Sequence, residues 1–332
     1  MKLFVGLDVS SEKLDTCFLT DDDDLSILLE KTFPNDLNGA TAIKDQIIKF
    51  TESMIFQKIV IGMESTSLYS FHPATFFQTD KELNQYELVV TVENPFKIKQ
   101  FSRIFDEDKT DRIDAFRIAD YLRLQRYSSS PLKEEKYMAL QRLTRTRYQM
   151  VCQLTEAKQH FLENLTYKCN TLSRELKNGD SPTSVFGAAM IALMTEDYSL
   201  DDFSTMSLDA LAELLQHYGK GRFKSPEKIA EAIKKAVRDS YRLGKLAQES
   251  IDIILACLVK SIQAFQKQIK ILDQAIEDLV VILPEYQCLR SIPGIGPVYA
   301  AGLLAEIGQI ERFEDQAKLA KYAGLTWKVS QS

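Results

Sequence analysis

Proline is absent from Leu132 to Ser181 and again from Glu227 to Leu283. Proline inside a helix removes a hydrogen bond and clashes with the preceding turn. Two long runs without it, rich in Leu, Ala, Lys, Gln and Glu, predict long helices. At about 1.5 Å per residue each reaches several tens of ångströms, packed against the other or against a second copy. Between them, residues 182–226 read as short helices joined by turns such as "SPTSVFG" and "GKGRFKSP". Residues 132–283 are therefore expected to form an all-helical arm. It serves as plain scaffold or as a spacing and oligomerisation device, and the two roles are compatible.

Ahead of the arm the pattern is different. "LFVGLDV" (3–9), "KLDTCFL" (13–19) and "SILLEKTF" (26–33) are β-rich runs with short connections, which predicts an antiparallel meander. "DLNGATAIKDQIIKF" (36–50) has helical periodicity. "KIVIGME" (58–64) is apolar almost throughout, as in a strand buried on both faces. A helix at 68–78, a strand at 86–92 ("YELVVTV") and a helix opened by Pro95 follow. The order β-β-β-α-β-α-β-α is an α/β domain with a mixed sheet. No GxGxxG follows the first strand, so a dinucleotide fold is not indicated.

A chain of 332 residues suggests about two or three domains. The boundaries expected here are 1–131, 132–283 and 284–332. No apolar run reaches the roughly 18 residues of a membrane span, and "MKLFVGLDVSSEKLD" reads as a strand rather than a signal peptide. Cys17, Cys152, Cys169, Cys257 and Cys288 form no CxxC pair, which suggests neither zinc nor a disulfide framework and points to a reducing cytoplasm. The net charge of −6 argues against a wholesale polyanion-binding surface. Locally the balance reverses: Lys97 to Arg147 holds thirteen basic and eight acidic residues. Arg142, Arg145 and Arg147 cluster in "QRLTRTRYQM", either as a solvated helix face or as a nucleic-acid contact.

"DKTDRIDAFRIADYL" (108–122) reads as a helix whose apolar stripe, Ala115, Ile118, Ala119 and Leu122, also carries Asp111 and Asp114. Carboxylates turned toward a core are costly unless something pairs with them. In a β-β-β-α-β fold the first and fourth strands lie side by side, bringing Asp8 in "VGLDVS" near Glu64 in "IGMEST". With the helix packed over that edge, Asp8, Glu64, Asp111 and Asp114 would converge. Two Mg²⁺ ions resolve the repulsion: hard oxygen ligands suit Mg²⁺ (with Mn²⁺ as the substitute), and paired metals clamp a phosphodiester during in-line attack. Each element alone is a weak signal, and the combination in the right strand order is a stronger one.

Further on, "SIPGIGPVYAAGLLAEIG" places Pro293-Gly294-Ile295-Gly296 before an Ala/Leu-rich helix. Gly294 and Gly296 allow close approach of another backbone, and amides at such a turn can grip a phosphate without reading bases. This is the pattern of a helix-hairpin-helix DNA-binding element. The bland alternative is a Gly-rich turn between packed helices.

Taken together, "GLDVS", "GMESTSLY", "KTDRIDAFRIADYL", "LTRTRYQMV", "SIPGIGPVYAAGLLAEIG" and "KLAKYAGLT" resemble the DEDD transposases of bacterial insertion sequences, relatives of the pilin-gene invertases. The resemblance implies an N-terminal RuvC-like domain of the RNase H type, a coiled-coil arm and a small α-helical C-terminal transposase domain. It implies Asp8, Glu64, Asp111 and Asp114 as a metal-binding tetrad. It also implies a serine, a short distance past "AGLT", that attacks DNA and forms a covalent phosphoserine link. By spacing this is Ser332, with Ser330 the fallback. Trp327 stands where the family usually has proline, and the family's basic, glycine-containing tail does not follow Ser332. The chain is therefore expected to be truncated just past its nucleophile and inactive in strand exchange, even where the full protein is active, because a serine at a chain end lacks supporting neighbours. The family also implies donor and target DNA as partners, a structured guide RNA encoded by the element, a homodimer or homotetramer, and action in the bacterial cytoplasm at the nucleoid.

Three functions compete at this level. The first is a DNA transposase or recombinase using Mg²⁺ and a serine. The second is a RuvC-type nuclease in which water attacks, and the third is an inactive fragment that only binds nucleic acid. His72, His160 and His217 are too scattered to suggest a site, and Asp21–Asp24 reads as a solvated turn.

Overall fold

The computed structural model describes residues 1–22, 26–65, 68–103, 111–125, 127, 133–179, 181–195 and 198–325, without the side chains of Asp111 and Arg112. The chain divides into two compact units, Met1–Glu134 with Gly308–Ser332, and Glu135–Ile307.

The first unit is built on a mixed five-stranded sheet. Its strands are β1 (Lys2–Val9), β2 (Lys13–Thr20), β3 (Ile27–Pro34), β4 (Lys58–Glu64) and β5 (Leu88–Glu93), in the order β3-β2-β1-β4-β5. The first three form the antiparallel meander, and β1–β4 and β4–β5 are parallel. The sequence placed the last strand at 86–92; it begins two residues later and runs one further. Between β3 and β4 lies helix α1 (Leu37–Ser53), whose first turn is capped by the Asp36 carboxylate, which accepts a hydrogen bond from the Gly39 amide at 2.8 Å. Then come α2 (Phe71–Thr79), α3 (Pro95–Ser102) and α4 (Asp111–Arg123).

Side-chain alternation sorts these helices onto two faces. Leu3, Val5, Leu7 and Val9 of β1 pack with Ile43 and Ile47 of α1 and Phe77 of α2. Phe4 of β1, Cys17 and Leu19 of β2 and Val60 of β4 pack instead with Ala115, Ile118, Ala119 and Leu122 of α4 and Ile98 of α3. The sheet is covered on both sides. Its central strands β1 and β4 are accordingly buried on both faces, while the edge strand β3 is largely exposed and carries Glu30 and Lys31.

The second unit is all helical. The proline-free runs become α5 (Glu135–Lys168) and, after α6 (Leu172–Asn178), α7 (Ala188–Thr195), α8 (Leu200–Thr205), α9 (Leu208–Gly219) and α10 (Pro226–Asp239), the helix α11 (Lys245–Val280). Arg147 of α5 pairs with Asp273 of α11, and Lys168 with Asp252. One helix advances as the other retreats by the same number of residues, so the two lie antiparallel. At one end of this pair, Phe161, Leu165, Leu255 and Ile262 join a core with α6 through α10. At the other end, Tyr137, Leu140, Ile276 and Val280 pack with Ala301, Leu304 and Ala305 of α13 (Pro297–Ile307), which follows α12 (Pro284–Arg290). Beyond them, in the first unit, is α14 (Gln316–Tyr322). Among the described residues no helix is long and apolar enough to cross a membrane.

Candidate metal centre

The site begins with two glycines. In the β1–β4 ladder Gly6 stands opposite Gly62. Both lie on the face that α4 covers, by alternation from Phe4 and Val60. A Cβ on Gly6 would come 2.2 Å from the Ala115 carbonyl oxygen and 2.5 Å from the Ala119 amide nitrogen. One on Gly62 would come 2.6 Å from a Leu122 methyl. The helix thus rests on bare backbone at this pair, closer than any side chain would let it lie.

Two residues further along each strand, on the same face, are Asp8 and Glu64. The ladder runs through Leu7 and Met63, so these carboxylates occupy the next step on neighbouring parallel strands. Register extends the row both ways. Asp15 of β2 stands opposite Asp8, and Glu93 of β5 opposite Glu64. Four acidic residues therefore cross the sheet in line, at the strand ends next to α4.

The outer two are held by the protein itself. Asp15 pairs with Lys13 at 3.1 Å and accepts a hydrogen bond from the Thr32 hydroxyl. Glu93 is 1% exposed; its Oε1 accepts from the Thr91 hydroxyl at 2.8 Å and its Oε2 from Lys97 Nζ at 3.3 Å. The inner two are partly exposed, also have interactions within the protein, and lie one step past the glycines on which the helix carrying Asp114 rests. Asp114 is itself 3.6 Å from the guanidinium of Arg117, one turn on and almost wholly buried. Asp111 opens α4, but its side chain lies outside the described residues, as do Ser330 and Ser332. Among the described residues no group of three or more His, Cys, Asp or Glu is close enough to hold a metal ion. What the fold does bring together is Asp8 with Glu64, beside the helix bearing Asp114. Oxygen-only donors of this kind suit a hard divalent cation such as Mg²⁺.

Glu93 and Asp15 escaped the sequence reading. Glu93 sits in "TVENP", just past the strand as read and before an Asn-Pro pair, so it resembles a turn residue. The available signal was positional: it ends β5 as Glu64 ends β4.

The second unit holds the other sequence-predicted residues. Arg145 makes two bonds to Glu306 of α13, at 2.8 and 2.9 Å, and Gln141 makes a third at 2.8 Å. Arg147 is tied to Asp273, and Arg142 is exposed. Gly294 has φ +91°, and the space above both Gly294 and Gly296 is open. Arg290 Nη1 donates to the Ile295 carbonyl at 2.7 Å and braces that turn. A cavity of about 560 Å³ lies alongside, lined by Arg147, Tyr148, Asp273, Tyr286, Arg290 and Val298.

Two sequence patterns match this chain. Residues 5–169 match the DEDD transposase family of the IS110 type, and residues 286–332 match the transposase IS116/IS110/IS902 family. The chain belongs to that family. Among curated relatives, an insertion element IS116 uncharacterized 44.8 kDa protein of Streptomyces clavuligerus is 25% identical over 222 residues, covering 66% of this chain and 53% of the relative. An insertion element IS110 uncharacterized 43.6 kDa protein of Streptomyces coelicolor is 37% identical over 76 residues, 23% of this chain and 19% of that protein. The matched parts thus span about half of the first relative and less of the second. The first pattern takes in β1 with Asp8, β4 with Glu64 and α4 with Asp114. The second takes in the turn at Gly294 and the α13 helix.

Proposed function

We propose that this chain is a DNA transposase of an insertion sequence, cutting and rejoining DNA at a centre made by Asp8, Glu64, Asp111 and Asp114. The observation that carries the reading is the in-register placement of Asp8 and Glu64 beside a helix seated on bare glycine backbone. Adjacent carboxylates repel, and both of these are partly exposed. A divalent cation, Mg²⁺ or Mn²⁺, would neutralise them and supply Lewis-acid stabilisation of the charge that develops on a phosphodiester. On this reading the sheet is a RuvC-like, RNase H-type domain within residues 1–131.

The remaining assignments follow from the family. Ser332, or failing that Ser330, is the nucleophile: its Oγ attacks phosphorus, the 3′ or 5′ oxygen leaves, and a phosphoserine ester conserves the bond for rejoining. Residues 132–283 are a coiled-coil spacing arm, supported by the antiparallel α5–α11 pair, and they bring together two or four copies. Residues 284–332 are the transposase domain. Its α12–turn–α13 segment acts as a helix-hairpin-helix element, with open space above Gly294 and Gly296 for a phosphate. Arg142 and Arg145 are both exposed and would meet the backbone, Arg145 while bonded to Glu306 of α13; Arg147 is tied to Asp273 of α11. An element-encoded RNA would select donor and target by base pairing in the bacterial cytoplasm, leaving the protein to hold backbones.

The test is direct. Mn²⁺ titration should detect divalent-cation binding that Asp8→Asn and Glu64→Gln each weaken at least tenfold. Incubation with Mg²⁺, element RNA and labelled donor and target DNA should give a protease-sensitive protein–DNA adduct, lost in Ser332→Ala and in Asp111→Asn. Unchanged metal affinity in both carboxylate variants would sink the centre. Metal-dependent cleavage without an adduct, surviving Ser332→Ala and Ser330→Ala, would replace the serine with water.

A further inference from the structure

Helix α3 carries a surface that the metal centre does not account for. Its sequence, PFKIKQFS, contains no acid, and Arg103 follows directly. Ile98 is buried against the sheet, and Phe101 packs edge-on against Tyr121 of α4 with ring centroids 5.8 Å apart. At about 100° per residue, Phe96, Lys97, Lys99, Gln100 and Arg103 fall on the opposite side, and all five are exposed. Three cations and an aromatic ring on one helix side stand out in a chain whose net charge is −6.

One of these cations is fixed in space. Lys97 Nζ lies 3.3 Å from the buried Glu93 carboxylate, while half of the Lys97 side chain remains in solvent. Glu93 is the register neighbour of Glu64. The ammonium is therefore anchored one strand away from the metal centre, and an ammonium has three donors, so it can serve an anion as well as Glu93. From Lys97 to Arg103 the helix rises about 9 Å, enough for its cations to reach more than one phosphate of a strand. An exposed ring beside such a row offers a face on which a base can stack.

We propose that the exposed side of α3 holds the DNA strand entering the metal centre, with Lys97 on the phosphate nearest the metals, Lys99 and Arg103 on those beyond, and Phe96 under a base. This rests on the metal-centre reading for its direction but not for its test. Glu93 is a positioning residue, acting through Lys97. The probe is a fluorescently labelled single-stranded DNA oligonucleotide, bound to the full chain with EDTA or with Mg²⁺ over a salt series and followed by anisotropy.

Two double variants are compared with the parent chain. Lys99→Gln with Arg103→Gln removes the two outer cations. Glu93→Gln with Lys97→Gln removes the anchored pair together, so that no buried charge is left alone. Each neutralised phosphate contact should lower the slope of log affinity against log salt by about 0.7, and each double variant should bind about tenfold more weakly at moderate salt. Lys97→Arg should retain most of the parent affinity. Unchanged slope and affinity in both double variants would overturn the proposal, and so would a larger loss on an RNA oligonucleotide of the same sequence than on DNA. Mn²⁺ titration of the same proteins separates the two readings. If Asp8→Asn abolishes metal binding and the α3 variants bind DNA normally, only the strand surface is wrong. If the α3 variants lose DNA and Asp8→Asn keeps its metal, only the centre is wrong.

Discussion

Gly6→Ala tests whether helix α4 owes its position to bare backbone. The added methyl would meet the Ala115 carbonyl oxygen at 2.2 Å and the Ala119 nitrogen at 2.5 Å, and neither atom can rotate away. Restoring ordinary contact requires the helix to lift by about 1 Å, a gap that forfeits roughly a quarter to a half of the dispersion attraction across the contact. Ile118 and Leu122 are fully buried there, each worth about 2–3 kcal/mol. The loss is therefore about 2–3 kcal/mol once the flanking alanines are included, the upper part of the overpacking range. Gly62→Ala meets only the flexible end of Leu122, at 2.6 Å, and a rotamer change there costs about 1 kcal/mol. Two compact units preclude a single unfolding free energy, so the assay is native-state hydrogen exchange on peptides from β1 and α4. Gly6→Ala should raise exchange in both peptides several times more than Gly62→Ala. It should also weaken Mn²⁺ binding, because the displaced helix carries Asp114 away from Asp8 and Glu64. In a Leu122→Ala background Gly62→Ala should become nearly neutral and Gly6→Ala should not. Equal effects of the two glycine substitutions, or rescue of both by Leu122→Ala, would refute the argument.

Two further predictions concern the helical unit. Lys168 is buried, donates to the Met194 carbonyl at 2.7 Å and pairs with Asp252 at 2.8 Å, so Lys168→Met leaves a buried acceptor unmet. Asp252 is more than a third exposed overall, but the oxygen that faces Lys168 is buried, so the cost is at least about 2 kcal/mol; hydrogen exchange in α5 and α11 peptides no faster than in the parent would contradict this. Hydrogen bonds from Lys235 and then Arg174 hold the Glu175 carboxyl below its ordinary 4.5. Its contribution is therefore complete above that value and is lost as pH falls through the lower folded-state value. Thermal melts of the parent and Glu175→Gln should differ at neutral pH and converge only as pH falls below the ordinary carboxylate range, whereas a gap independent of pH would show that the carboxylate's charge is not what matters.

The order of the sheet was legible because β-rich runs alternate and their connections differ in length. Short links at Ser10–Glu12 and Asp21–Ser26 permit only antiparallel neighbours, and the helix between β3 and β4 permits a parallel return to β1. Asp8 and Glu64 were legible for the same reason, since each occupies a fixed step on a strand whose neighbour could be named. Partners distant in sequence were not. Arg145 and Arg147 look like one basic cluster, yet their carboxylates come from Glu306 and Asp273, and nothing local to "LTRTRYQM" specifies either. Residues 284–307 posed the same difficulty: proline at 284 marks a break in the chain, but Ala301 and Leu304 close the core begun by Tyr137 and Leu140.

The glycines show how a legible motif and a concealed one depend on each other. "VGLDVS" and "IGMEST" each place a glycine two residues before the acid. Read singly, either glycine weakens a strand, because it packs no side chain and loses more backbone entropy on folding. Read as the register pair they form, they remove the two side chains that would hold a helix away from the sheet at that level. The acids then follow on the same face by the period of two, one step past the contact, where a helix aspartate can approach them. Any residue larger than glycine at position 6 would separate the strand carboxylates from those of α4. On the proposed reading the glycine and the acid act as one device, the close helix–sheet approach falling one step before the carboxylates.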